Sequence, residues 1–93
     1  MIGGSGQGEA MVANRYHSVR AAVYYGAATS IVEDPRSILT LSRAHNDSNV
    51  LSIGARFITD EEAQKVVKEW LETPFSHDER HVRRITKTDR VRE

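Results

Sequence analysis

The sequence predicts an α/β fold built on a parallel sheet, and three observations carry that expectation. Two short apolar runs, "SVRAAVYYG" (residues 18–26) and "NVLSIGAR" (residues 49–56), are each closed by a glycine, the pattern of strands buried on both faces. The stretch between them has the length of a helical crossover, which a right-handed parallel connection requires. Following them, "TDEEAQKVVKEWLETP" (residues 59–74) places Ala63, Val66, Val67, Trp70 and Leu71 at the spacing of an amphipathic helix.

Taken in order, the chain opens on a glycine loop, "GGSGQGEAMVANR" (residues 3–15), leading into a helix over about residues 8–14. Such a loop normally follows a buried strand. Only Met1 and Ile2 stand before it, so the feeding strand reads as cut short. After the first apolar run, Asp34 is the expected N-cap and Pro35 the first helical residue, with Ile38, Leu41 and His45 sharing one face of a helix that ends near Asn46. Thr59 and Glu62 form a capping box for the following helix, which Pro74 limits. A last helix over about residues 80–90 aligns Arg80, Arg84 and Lys87. Its apolar content is Val82, Ile85 and Val91, so it is expected to lie across a larger body. Two parallel strands and their helices cannot shield both faces and both edges of a sheet. Residues 1–93 therefore read as a single domain equivalent to the second half of an α/β fold, with the N-terminal half missing.

Composition narrows the classes. A 93-residue, 10.5 kDa chain holds one domain and a small core. It has no cysteine, which leaves no disulfide framework, thiolate metal site or catalytic thiol and suits a reducing compartment, with cytoplasm the default. No apolar run approaches a membrane span and no signal-peptide pattern opens the chain. Net charge is zero, yet residues 80–93 carry six Lys and Arg against Asp89 and Glu93. That basic tail is open to three readings: a solvated helix face, an anion-binding surface, or a nucleic-acid contact. The rest of the chain has no aromatic platform or nucleic-acid motif, so no nucleic-acid partner is expected.

Chemistry concentrates in a few residues. Gly3, Gly4, Gly6 and Gly8 leave main-chain N–H groups free to converge on an anion at a helix start, with the Ser5 hydroxyl as a further donor. The spacing is neither a complete dinucleotide fingerprint nor a P-loop, because no Lys-Ser/Thr pair follows Gly8. A tight turn is the competing reading. Glu9 is either a first-turn acid favoured by the helix dipole or a general base, whose pKa burial would have to raise against the lowering effect of that dipole. His45 is open to a core or capping role and to proton transfer. Arg56, Arg80 and Arg84 are candidate phosphate forks, although single arginines are more often surface charges. His17, His77 and His81 show no metal-ligand spacing, so neither a metal nor another cofactor is expected.

The stretches "GGSGQGEAMVANR", "VRAAVYYG", "RAHNDSNVLSIGAR" and "ERHVRRI" stand in one order and spacing. In them the chain resembles the C-terminal portion of the type B ribose-5-phosphate isomerases and galactose-6-phosphate isomerase subunits, from about Gly3 to Ile85. The resemblance implies a Rossmann-like parallel sheet with flanking helices and metal-free aldose–ketose isomerisation of a sugar phosphate in the pentose phosphate pathway. It also implies a homodimer or higher oligomer with sites at the subunit interface, and no membrane partner. By the same resemblance Gly4, Ser5, Gly6 and Gly8 are the oxyanion loop that holds a cis-enediolate. Much of the family has a cysteine base at the position of Gly3; a cysteine-free branch has a glutamate six residues later, where Glu9 stands. His45 matches the ring-opening histidine, Asn46 a substrate contact, Arg56, Arg80 and Arg84 the phosphate-holding arginines, and His81 a neighbour of unassigned role. The family's N-terminal residues, about sixty more, have no counterpart here. A separate chain carrying that half, or a catalytically silent binding or dimerisation module, is the alternative expectation.

Overall fold

The computed structural model describes residues 1–28, 30–32 and 36–91. In chain order the elements are β1 (Ile2–Gly3), α1 (Gln7–Ala13), β2 (Ala21–Tyr24), α2 (Ile38–Ala44), β3 (Val50–Gly54), α3 (Asp60–Glu72) and α4 (Glu79–Arg90). The three strands form one parallel sheet in the order β1-β3-β2. The architecture is therefore α/β as expected, with one strand more than the two apolar runs suggested. Ile2 pairs with Ile53 and Gly3 with Gly54, and the Met1 ammonium donates to the Leu51 carbonyl at 2.8 Å. The two residues before the glycine loop are enough to hold a place beside the central strand.

Leu39, Leu51, Ile53 and Val66 form the core, with Tyr24, Ile58, Ala63 and Trp70 packed around it. The core thus lies between β3 and the α2–α3 layer, while Ala10 and Ala13 bury the inner side of α1. Three local expectations are corrected by packing. β2 is half-buried along its whole length, because it is an outer strand of the described sheet and not a covered central one. Val67 and Leu71 are exposed, so α3 buries only the narrower stripe of Ala63, Val66 and Trp70. The capping box is half made: Thr59 Oγ1 accepts from Glu62 N at 3.1 Å, but the Glu62 carboxylate accepts from the Tyr24 hydroxyl at 3.2 Å. That contact and burial, the larger cause, push the Tyr24 phenol above its ordinary range.

α2 begins later than the sequence suggested. Ser37 is its N-cap, its Oγ accepting from Thr40 N at 3.0 Å; Asp34 and Pro35 lie outside the described residues. Arg43, in the last turn of α2, ties the layers together. Its guanidinium lies 4.4 Å from the centre of the Trp70 ring and donates to the carbonyls of Trp70, Thr73 and Ser48. Trp70 Nε1 in turn donates to Ser48 Oγ at 3.1 Å, so the buried indole N–H is satisfied.

Candidate functional site

The glycine loop leaves the carboxyl end of β1 beside the carboxyl end of β3. Gly3 and Gly4 carbonyls accept from Ala55 N and Arg56 N at 2.8 and 3.0 Å, which extends the β1–β3 pairing into the loop. At Gly6 the chain turns with φ of 76°, where any side chain is strained. A β-carbon there would also stand 3.0–3.1 Å from Ile53 C, Gly54 N and Ser52 Oγ. Glycine at this position satisfies both the turn and the close approach. The Gly6 carbonyl accepts from Ser52 Oγ at 2.7 Å and from Ala10 N at 3.3 Å. The N–H groups of Ser5, Gly6 and Gly8 have no acceptor among the described residues, whereas Gln7 N donates to Ser5 Oγ at 3.3 Å.

Glu9, in the first turn of α1, is half-buried, and its side chain folds back toward β1. A β-carbon on Gly3 would collide with the Glu9 carboxylate. The carboxylate therefore fills the space that a side chain at position 3 would occupy. Arg56 reaches the same loop from β3, its guanidinium atoms 3.1–3.5 Å from the β-carbon position of Gly4. A carboxylate, a guanidinium and three main-chain donors thus share the carboxyl end of the sheet. Tyr25 and Phe57, exposed and edge to face at 6.3 Å, stand beside them.

His45 and Asn46 lie elsewhere. In a parallel crossover the helix runs back against the strands, so the end of α2 stands at the amino end of β3. His45 is the C-cap of α2 and stacks on His81 of α4, centroids 4.1 Å apart. His81 is buried, with Nδ1 2.9 Å from Ser76 Oγ and Nε2 3.2 Å from Arg80 Nη2. Because a guanidinium only donates, Nε2 accepts and Nδ1 carries the proton toward Ser76. The same logic makes His45 Nε2 the acceptor of Arg36 Nη1 at 3.0 Å. Arg84, exposed, follows Arg80 by one helical turn.

The far end of α4 is fastened separately. Arg20 meets Asp47 at 3.3 Å and Asp89 at 3.5 Å, and donates to the Asp47 carbonyl at 2.9 Å. A cleft of about 580 Å³ opens there, with Arg20, Asn46, Ile85 and Asp89 among its walls. Asp78 caps α4, its Oδ1 accepting from Arg80 N at 2.9 Å; that bond is the main reason its carboxyl lies below the ordinary range.

Within one chain, then, the structure brings Gly4, Ser5, Gly6, Gly8, Glu9 and Arg56 together at one end of the sheet. It gathers His45, Asn46, Arg80, His81 and Arg84 at the other. Sequence reasoning missed Ser52, Arg20, Arg36 and Arg43. Ser52 had a signal, a hydroxyl in the middle of an apolar strand, which must find a partner once buried. No three His, Cys, Asp or Glu side chains among the described residues are grouped to hold a metal ion. No helix among them is long and apolar enough to cross a membrane.

This arrangement defines an α/β protein with a glycine loop at the carboxyl end of its first parallel strand. The sequence profile of the Ribose/Galactose Isomerase family matches residues 1–88, and the chain belongs to that family. It is 35% identical over 85 residues to ribose-5-phosphate isomerase B of Mycobacterium tuberculosis, covering 91% of this chain and 47% of that protein. Among solved structures, ribose-5-phosphate isomerase B from Mycoplasma genitalium with bound ribulose-5-phosphate superimposes with a TM-score of 0.80 at 37% identity, over 97% of this chain and 53% of that one. A type B ribose 5-phosphate isomerase from Trypanosoma cruzi gives 0.82 at 34% identity, over 98% and 55%. The chain spans about half the length of the curated relatives it matches.

Proposed function

We propose that this chain carries the proton-transfer centre of a metal-free sugar-phosphate isomerase that interconverts ribose 5-phosphate and ribulose 5-phosphate. The observation that carries this reading is the Glu9 carboxylate folded against Gly3 at the mouth of the glycine loop, with the Arg56 guanidinium beside Gly4. A carboxylate placed next to unpaired main-chain donors suits enolisation. Glu9 takes the proton from C2 of the open-chain aldose, the C2 electron pair forms the C1–C2 double bond, and O1 becomes the oxyanion. Main-chain N–H groups of Ser5, Gly6 and Gly8 and the Ser5 hydroxyl receive that charge. Return of the proton from Glu9 to C1, with transfer of the O2 proton to O1, yields the ketose.

Ring opening and phosphate binding fall to His45, Asn46, Arg80 and Arg84, with Arg56 contributing from the loop side. These groups lie at opposite ends of a sheet whose central strand has five residues, each rising about 3.3 Å. A second copy that presents its amino end to this glycine loop makes the site whole, so the working unit is a homodimer or a larger oligomer in the cytoplasm.

The test is turnover of ribose 5-phosphate without added metal, alongside the mass in solution. Glu9→Gln is expected to lower kcat by at least about a hundredfold with the fold intact; unchanged turnover refutes the assignment. Co-assembly of Glu9→Gln with His45→Ala chains is expected to recover part of the lost activity, because one mixed site keeps both groups. The second reading, a silent sugar-phosphate-binding or dimerisation module, is favoured by the outer edge of β1, which pairs with no strand among the described residues, and by the largely apolar groove there, in which Glu9 joins Met1, Val12, Tyr16, Val19 and Val50. Phosphate binding without turnover by the folded chain supports that reading over the first.

A further inference from the structure

We infer that Ser52 is a positioning residue for the glycine loop, fixing the Gly6–Gln7 peptide plane whose Gln7 N–H orients the Ser5 hydroxyl. Its catalytic consequence rests on the isomerase reading above; the anchoring does not. Among the described residues Ser52 is fully buried, at 0% exposure, and is flanked in β3 by the core residues Leu51 and Ile53. A hydroxyl in that place costs stability unless it is bonded. Its partner is not in its own sheet but in the loop, the Gly6 carbonyl at 2.7 Å.

The next atoms show what this bond controls. The Gly6–Gln7 peptide is planar and trans, so its carbonyl and its N–H point in opposite directions. The carbonyl side is held from within by Ser52, and the Gln7 N–H side faces Ser5 Oγ at 3.3 Å. With Ser5 Oγ accepting from Gln7 N, its own proton is directed away from Gln7 N and is available to a ligand. Gly6 has no side chain to resist rotation and sits at φ of 76°. Without Ser52 only the longer bond from Ala10 N, at 3.3 Å, restrains that carbonyl. The short buried bond therefore sets the direction of the Gln7 N–H and, through it, of a Ser5 hydroxyl that Ser52 itself never approaches.

The experiment compares Ser52→Ala, which removes the hydroxyl, with Ser52→Thr, which restores it, in the full chain. Amide hydrogen exchange is read at Gln7 and Ala10 and at Leu51 and Ile53, together with kcat, KM and the melting temperature. Ser52→Ala is expected to speed exchange at Gln7 and Ala10, whose N–H groups bond Ser5 Oγ and the Gly6 carbonyl, about tenfold relative to Leu51 and Ile53, the loss of roughly one hydrogen bond. In the same variant kcat falls about tenfold while KM for ribose 5-phosphate stays within about twofold. Ser52→Thr recovers both. Equal acceleration of all four amides, or no acceleration at Gln7 and Ala10, overturns the proposal and leaves Ser52 a packing residue. If Glu9→Gln leaves turnover unchanged, the isomerase reading has failed, and the exchange pattern alone decides whether Ser52 anchors the loop.

Discussion

Replacing Gly3 by alanine isolates the contact on which the catalytic reading depends. The new methyl group falls on the Glu9 carboxylate and on nothing else within 4 Å among the three nearest atoms. Ordinary carbon contacts need about 3.5 Å or more, so the carboxylate must retreat by more than about 1 Å. Gly3 is in extended strand backbone without a positive φ, which alanine adopts freely. Only the end of a flexible side chain moves, and the stability change should stay within about 1 kcal/mol, a melting shift below about 8 °C for a domain of this size. Catalysis should suffer far more, because displacing a reacting group by about 1 Å costs on the order of a hundredfold. Turnover of ribose 5-phosphate and a thermal melt, measured on the same preparation, separate the two effects. The double variant Gly3→Ala with Glu9→Gln should lose no more than Glu9→Gln alone, since both act through one carboxylate. Gly3→Ala turnover within about twofold of the parent, with an unchanged melt, would refute the role assigned to Glu9.

Two further expectations concern stability. Leu39→Ala empties part of a four-residue core in which Leu39 is 3% exposed, and chemical denaturation should register a loss of about 2–5 kcal/mol; a loss below about 1 kcal/mol would mean that α2 is not seated on the sheet. With pH, the two shifted groups act at opposite limits. Asp78 ionises below its ordinary 3.8, mainly through the Arg80 N–H bond, so its support of α4 is present above that value and is lost as pH falls through its folded pKa. Tyr24 ionises above its ordinary 10.0, through burial and then Glu62, so its contribution holds below pH 10.0 and is lost as pH rises through the folded pKa. Hydrogen exchange at the start of α4 and Tyr absorbance in alkali read these two events; fraying of α4 unchanged by acid would contradict the Asp78 cap.

Much of the fold was legible because it rests on local patterns. The 3.6-residue period locates α3, and the two apolar runs locate β2 and β3, since those signals arise within the segment they describe. β1 was not, because two residues carry no period and only the pairing of Ile2 with Ile53 makes them a strand. The Glu62 side chain was misassigned for a tertiary reason: β2 delivers the Tyr24 hydroxyl to it at 3.2 Å, and that partner outcompetes the helix's own N-cap. The same limit applies to the candidate site. Its residue types follow from short motifs, but which of them meet depends on strand direction. His45 precedes Gly54, which pairs with Gly3 beside the glycine loop, by only nine residues, yet stands at the opposite end of the sheet.

That separation bears on how the chemistry can be distributed. The carboxyl end of a parallel sheet collects main-chain donors, because each strand leaves through a loop there, and this end holds the Gly6 turn and Glu9. The amino end collects the returning helices, and it holds the stacked imidazoles of His45 and His81 with the guanidiniums of Arg36 and Arg80. Five strand residues span about 16 Å, more than the length of a five-carbon sugar phosphate. One substrate cannot touch both clusters of one chain. A site shared between copies, as proposed above, requires that α4 keep its seat, and the fastening of its two ends, His81 on His45 and Asp89 on Arg20, supplies that rigidity. On that proposal, loosening either end should weaken phosphate binding before it affects proton transfer, since the arginines ride on α4 and Glu9 does not.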